Sequence, residues 1–215
     1  QVEKTKKYTR SFFGSKSECD IRIEYLESKK GLSVGFKKHE VKSPIHGNYN
    51  FANIAAALSF GILFEVDLKK IQKAIASYDS KNNRSEKIII NKTPFILDAY
   101  NANPTSMDLA LDSFCDKYST NNLVILGDMF ELGKQTFTEH ENILNKCLSL
   151  GITKIFTIGS NFMSTKVKNE KIEKFTNIEQ FIVSFEKSKV HFESVLIKGS
   201  RSMKLEKLMP FFKSL

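Results

Sequence analysis

Beyond residue 85 the apolar positions gather into four short runs, Pro94 to Leu97, Leu123 to Leu126, Lys154 to Ile158 and Val195 to Ile197. Stretches of helical periodicity separate them, which predicts βα units and a largely parallel sheet. The first third of the chain reads differently. Ile21 to Tyr25 alternates apolar and polar residues, and Leu32 to Phe36 forms a second short run after Gly31, as expected at the edge of a sheet. An alanine-rich helix is predicted near Phe51 to Phe64. A second, near Leu68 to Tyr78, carries Leu68, Ile71, Ile75 and Tyr78 on one face.

Between these two patterns lies Asp79 to Ser85 (DSKNNRS), a cluster of turn-forming residues and the best boundary in the sequence. The helix ends beyond it are legible. Asn103 is a good N-cap in front of Pro104, and Met107, Ala110, Leu111, Phe114 and Tyr118 then share a face. Gly151 stops a helix bearing Ile143, Leu144, Cys147 and Leu148, and Ser202 is placed to cap a last helix with Leu205, Leu208 and Met209 inward. The fold class expected is α/β, with a Rossmann-like second half.

Composition narrows the classes. With 41% hydrophobic and 27% charged residues in 215, the chain is expected to fold around a real core. No apolar run reaches the ~20 residues of a membrane span and the start carries no secretion signal, so a cytoplasmic protein without membrane insertion is expected. Cys19, Cys115 and Cys147 cannot all pair and have no metal-type spacing. Cys115 and Cys147 fall on apolar helix faces, as small buried thiols do. The net charge of +9 comes mostly from lysines scattered along the chain, not from a basic block interleaved with aromatics, so nucleic acid is only weakly signalled and a basic RNA-binding domain is a disfavoured reading. A field of that sign also suits a polyanionic nucleotide or nucleotide-sugar.

In parallel α/β sheets ligands bind beyond the carboxyl ends of the strands. Here those ends read Asp98-Ala99-Tyr100-Asn101-Ala102-Asn103, Gly127-Asp128-Met129-Phe130-Glu131, Gly159-Ser160-Asn161 and Lys198-Gly199-Ser200-Arg201. Asp98 is suited to ribose hydroxyls or the neighbourhood of a metal, and Lys198, Ser200 and Arg201 to an anion at a helix N-terminus. The same residue types also build turns and caps. Four polar loops on one sheet edge point to a binding cleft.

Four strings carry a resemblance: GNYNFANIAAALSFG at 47–61, DAYNANPTSM at 98–107, LGDMFELG at 126–133 with His140 following, and KGSRSM at 198–203. In this order and spacing they resemble the Mur ligase superfamily, and within it the branch that adds D-alanyl-D-alanine. The resemblance implies residues 1–83 as the β/α tail of a central ATP-binding domain and 84–215 as the Rossmann-like C-terminal domain. It implies an ATP-dependent amide ligase acting through an acyl phosphate, with ATP and magnesium as cofactors and UDP-N-acetylmuramoyl-tripeptide and D-alanyl-D-alanine as partners, working as a monomer. Nothing in the 215 residues matches the phosphate loop G-x-x-x-x-G-K-[ST], and the metal ligands are expected upstream, so this portion alone is expected to be inactive. Other superfamily ligases of the folylpolyglutamate synthase type and a non-catalytic nucleotide-binding module are the alternatives.

By resemblance Asn50 approaches the adenine, with Tyr49 in place of the family's histidine. Arg84 reaches the ATP phosphates from the hinge, and Asp98 accepts from the ribose with Tyr100 and Asn101 beside it. Asp128, Glu131, Lys198, Ser200 and Arg201 are expected to face the peptide or the incoming dipeptide. His140 is expected to be a partly exposed helix residue or to orient Glu131. A carboxylate at a strand end cannot serve the core, so replacing Asp98 is expected to cost ATP affinity more than stability.

Overall fold

The computed structural model describes residues 10–26, 32–45, 48–78, 83–187 and 191–215, without the side chain of Tyr49. Gly31, Gly47 and the first four residues of the 79–85 boundary lie outside the described set. The chain divides into two compact units, 1–79 and 80–215.

In the first unit, β1 (Phe13–Gly14), β2 (Ile21–Leu26), β3 (Leu32–Phe36) and β4 (His39–Ser43) form a sheet in sequence order, with only β1 and β2 parallel. The alternation in β2 places Ile21 and Ile23 inward; Tyr25 breaks it and is 42% exposed. Its ring instead meets Phe51 edge-on and its hydroxyl donates to Asn48. Helices α1 (Phe51–Leu63) and α2 (Leu68–Ala76) bury Ile54, Leu58, Ile71 and Ile75 against the sheet. Asp67 caps α2 by accepting from the Lys69 and Lys70 amides. Tyr78 lies past the end of α2 and is exposed, so it does not extend that face as expected.

The second unit holds a six-stranded sheet. Its strands are β5 (Glu86–Ile90), β6 (Thr93–Asp98), β7 (Asn122–Gly127), β8 (Lys154–Ile158), β9 (Ile172–Phe175) and β10 (Ser194–Lys198), in the order β5-β6-β10-β7-β8-β9. All pairs are parallel except β5 with β6. The helices are α3 (Pro104–Lys117), α4 (Thr136–Ser149), α5 (Ser160–Ser164), α6 (Ile178–Lys187) and α7 (Leu208–Ser214). The four anticipated runs are the inner strands, buried on both faces. The two strands not anticipated, β5 and β9, are edges with one neighbour each and are less buried than the inner strands.

Alternate residues of the strands feed two cores. Val124, Leu126, Ile155 and Leu196 pack with Met107 and Leu111 of α3 and Ile143 and Leu144 of α4. Leu123, Ile125, Phe156 and Ile197 pack on the other face with Phe181 and Phe185 of α6 and Leu208 and Phe212 of α7. The chain thus steps from β6 to β9 with α3 and α4 on one face, then returns through α6 on the other and inserts β10 between β6 and β7. Loops leaving β10 and its two neighbours therefore depart toward opposite faces, which opens a crevice at their carboxyl ends.

Ser202 does not cap the last helix. It sits inside the 3-10 turn Arg201–Met203, Lys204 is left-handed at φ 53°, and α7 starts only at Leu208. The KGSR loop thus leads into a single 3-10 turn with Ser200 at its N-cap position, not into an α-helix N-terminus. Among the described residues no helix is long and apolar enough to cross a membrane.

Candidate functional site

Asp98 ends β6 and Lys198 ends β10, and the parallel register sets the two side by side. The Lys198 ammonium lies 2.6 Å from Asp98 Oδ2 and donates to the Asn101 carbonyl at 3.2 Å. Lys198 is 2% exposed, deeper than its place in a polar loop suggests. It is a core lysine, tolerable in that position because a carboxylate and a carbonyl take its protons. The pair also corrects the premise that Asp98 cannot serve the core. Each Asp98 oxygen already has a partner, since Oδ1 accepts from the Ser85 amide at 3.1 Å. A carboxylate offers about four lone-pair positions, so both oxygens retain acceptor capacity.

Asn83, Arg84 and Ser85 fold back onto this strand end, which is why they go with the second unit. The Tyr100 amide donates to the Asn83 carbonyl at 3.1 Å, and the Arg84 guanidinium lies 3.7 Å from the centre of the Tyr100 ring. Arg201 approaches the same ring at 5.9 Å, so an exposed tyrosine carries two guanidiniums.

Beyond the strand ends opens a cleft of about 630 Å³. It brings together Asn101 from the β6 loop, Glu131 from the β7 loop, and Ser200 and Arg201 from the β10 loop. Lys204 and Glu206 also line it, with Phe130 and Leu132 as apolar wall. The loops meet closely because of two glycines. A Cβ on Gly199 would lie 2.9 Å from the Gly127 Cα and 2.8 Å from Leu205, so neither loop has room for a side chain there. The Ser200 amide then donates to the Asp128 carbonyl and ties the two loops.

Asp128 is 1% exposed, and its carboxylate accepts from the Asn161 and Phe162 amides at 2.9 and 3.0 Å, at the start of α5. Burial pushes its pKa above the ordinary carboxylate value, opposed by those two amides. Gly159 makes the approach possible: its φ is +131°, and a Cβ there would fall 2.2 Å from the Asp128 carboxyl carbon. His140, expected to be partly exposed, is fully buried. Its Nε2 accepts from the Met129 amide at 3.0 Å and its Nδ1 donates to the Thr136 carbonyl at 2.6 Å, while the ring packs edge-on against Phe162. Asp128 and His140 therefore hold the loop that carries Glu131, which itself sits at φ 65°.

Asn50 belongs to the first unit. It occupies the N-cap position of α1 without a side-chain capping bond, and its Oδ1 accepts from Asn53 at 3.0 Å. Lys204 and Glu206 escaped sequence reading because the 203–209 stretch reads as one helix with polar residues outward. The left-handed turn at Lys204 that aims them at the cleft leaves no glycine or asparagine to signal it.

A profile of the family described as "Mur ligase, glutamate ligase domain" matches residues 83–201. The UDP-N-acetylmuramoyl-tripeptide–D-alanyl-D-alanine ligase of Buchnera aphidicola from Acyrthosiphon pisum is 30% identical over 220 residues, covering 96% of this chain and 45% of that protein. The chain therefore spans about half the length of the curated relatives it matches. Among solved structures, MurF from Acinetobacter baumannii superposes with a TM-score of 0.82 at 23% identity, over 99% of this chain and 48% of that one. MurF ligase from Thermotoga maritima in complex with ADP superposes with a TM-score of 0.75 at 18% identity, over 95% and 48%.

Proposed function

The chain belongs to the Mur ligase family, and from that premise we propose that it is the C-terminal portion of the ATP-dependent ligase that joins D-alanyl-D-alanine to UDP-N-acetylmuramoyl-tripeptide. Residues 1–83 are then the tail of the central ATP-binding domain and 84–215 the C-terminal domain, acting in the cytoplasm as one copy. The observation that carries this reading is the cleft, which draws Asn101, Glu131, Ser200 and Arg201 from three separate motif strings to the carboxyl ends of adjacent strands.

The charges in the cleft suit the dipeptide. Arg201, Lys204, Glu131 and Glu206 line one opening, with Arg201 at 3.9 Å from Glu206, so both signs of charge are at hand for the carboxylate and the ammonium of a zwitterion. Phe130 and Leu132 offer apolar surface to two methyl groups, and the volume lies within the ~300–1,000 Å³ usual for small-molecule sites. For ATP, Arg84 is the phosphate contact, a planar guanidinium already stacked on Tyr100. Asp98 and Asn101 supply acceptors for the ribose, and Asn50 a contact to adenine. Asp128, His140 and Lys198 work behind these residues by fixing the loops.

In this mechanism the tripeptide's terminal carboxylate is phosphorylated and the dipeptide amine displaces phosphate from the acyl phosphate. The residues of this chain position the nucleophile and neutralise charge. Among the described residues no group of three or more His, Cys, Asp or Glu is placed to hold a metal, and in this reading the magnesium ligands belong upstream. The test is phosphate release with MgATP, UDP-tripeptide and D-alanyl-D-alanine. The chain alone should release none, and the chain joined to the upstream half of the Buchnera relative should release phosphate only when the dipeptide is present. Turnover that tracks the isolated chain, or dipeptide-independent turnover of the fusion, contradicts the reading.

A further inference from the structure

We propose that Asp98 is a positioning residue for Arg84, acting through the Ser85 amide. Asn83 and Ser85, on either side of Arg84, both adopt the left-handed conformation, at φ 55° and 50°. That conformation is unfavourable for residues with a Cβ and persists where surrounding contacts impose it. Here the Tyr100 amide donates to the Asn83 carbonyl and the Ser85 amide donates to Asp98 Oδ1, which ties both residues to the end of β6. With both neighbours pinned, Arg84 projects onto the Tyr100 ring at 3.7 Å. Lys198 allows the arrangement by neutralising a carboxylate that is otherwise buried, at 2.6 Å from the oxygen Ser85 does not use.

The consequence rests on the reading of Arg84 as the phosphate contact. Asp98 then serves the nucleotide at its phosphate end by setting where the guanidinium stands, in addition to any contact it makes with the ribose. With Arg201 near the same ring, the clip presents two cations around Tyr100 before a polyanion arrives.

The experiment reads the Arg84 Nε–Hε resonance of the ¹⁵N-labelled 215-residue chain, assigned by its disappearance in Arg84→Lys. Stacking on Tyr100 shifts this proton upfield, and Tyr100→Leu defines its unstacked position. Two double variants both delete the charge pair. Asp98→Asn with Lys198→Met keeps an acceptor for the Ser85 amide, and Asp98→Ala with Lys198→Met does not. The Asn/Met protein should keep the upfield shift and the Ala/Met protein should lose it, moving to the Tyr100→Leu position. A shift that survives in Ala/Met, or is lost equally in Asn/Met, overturns the proposal. Should Ala/Met fail to fold, the wild-type chain decides by hydrogen exchange at Ser85: a protected amide is expected, and exchange at the rate of a free peptide overturns the clip. No nucleotide enters these measurements, so failure of the phosphate reading and failure of this proposal are told apart.

Discussion

Replacing Asp98 with alanine strands a cation. The Lys198 ammonium, 2% exposed, keeps only the Asn101 carbonyl at 3.2 Å, and the Ser85 amide loses its acceptor. At 2.6 Å the gross attraction between the charges is about 6 kcal/mol at an effective dielectric of ~20, but most of this repays desolvation. Breaking such a pair from one side costs roughly 3–5 kcal/mol, because the remaining charge stays buried without compensation. Removing both charges costs less. Asp98→Ala with Lys198→Met leaves an apolar side chain of similar length and one unsatisfied amide, about 1–3 kcal/mol. The second substitution should therefore rescue the first by about 1–3 kcal/mol, on the order of tenfold or more in the folding equilibrium. Urea unfolding followed on methyl resonances of residues 83–215 isolates the second unit from the first. A double variant less stable than Asp98→Ala, or an Asp98→Ala protein within ~1 kcal/mol of wild type, refutes the assignment of a buried, coupled pair. Loss of ATP affinity in Asp98→Ala alone consequently mixes stability with binding.

Three further outcomes follow from the loops. Gly159→Ala should destabilise by roughly 1–3 kcal/mol or more, because the added carbon falls 2.2 Å from the Asp128 carboxyl at a φ of +131°; an unchanged melting temperature would mean that Asp128 does not sit against α5. His140→Ala should cost about 1–3 kcal/mol through the buried Met129 amide it leaves without an acceptor, in addition to the cavity, and exchange at that amide should accelerate. At pH 8 a thiol reagent should label Cys19 before the others, since burial raises Cys115 to about 11 and pushes Cys147 up as well. Unfolded thiols ionise near ~8.5, so the stability Cys115 contributes is complete below that pH and is lost as pH rises through about 11, while the Cys147 contribution persists to higher pH. Equal labelling of all three thiols in folded protein would contradict their burial.

Much of the architecture was legible because the inner strands must be apolar on both faces, as in Leu123 to Leu126, where successive residues feed opposite cores. The edge strands β5 and β9 were not, since β5 has only three consecutive apolar residues after Glu86 and Lys87, and partly buried Glu173 and Lys174 interrupt β9. The capping of α3 was readable from Asn103-Pro104, and the structure adds the reciprocal bond from the Asn103 amide to Ser106. The site was legible as strings of residues but not as depth. Lys198 and Asp128 read as surface chemistry from their loops, yet whether a charge is buried depends on a partner that register supplies from far along the chain, 100 residues away for Asp98 and 33 or 34 for the α5 amides. His140 is buried, not partly exposed, and its Met129 partner lies in the preceding loop, the one that carries Glu131.

The cleft is the centre of the account, and its occupant is testable on the chain itself. D-alanyl-D-alanine titrated into the ¹⁵N-labelled protein should move the amides of Asn101, Glu131, Ser200 and Arg201 along one saturating curve. The N-acetylated dipeptide and the dipeptide amide, each lacking one charge, should bind at least about tenfold more weakly, as the loss of a charge-assisted contact requires. Amides that stay in place at millimolar dipeptide, or equal binding by the two blocked forms, would contradict the claim that these loops receive the zwitterion.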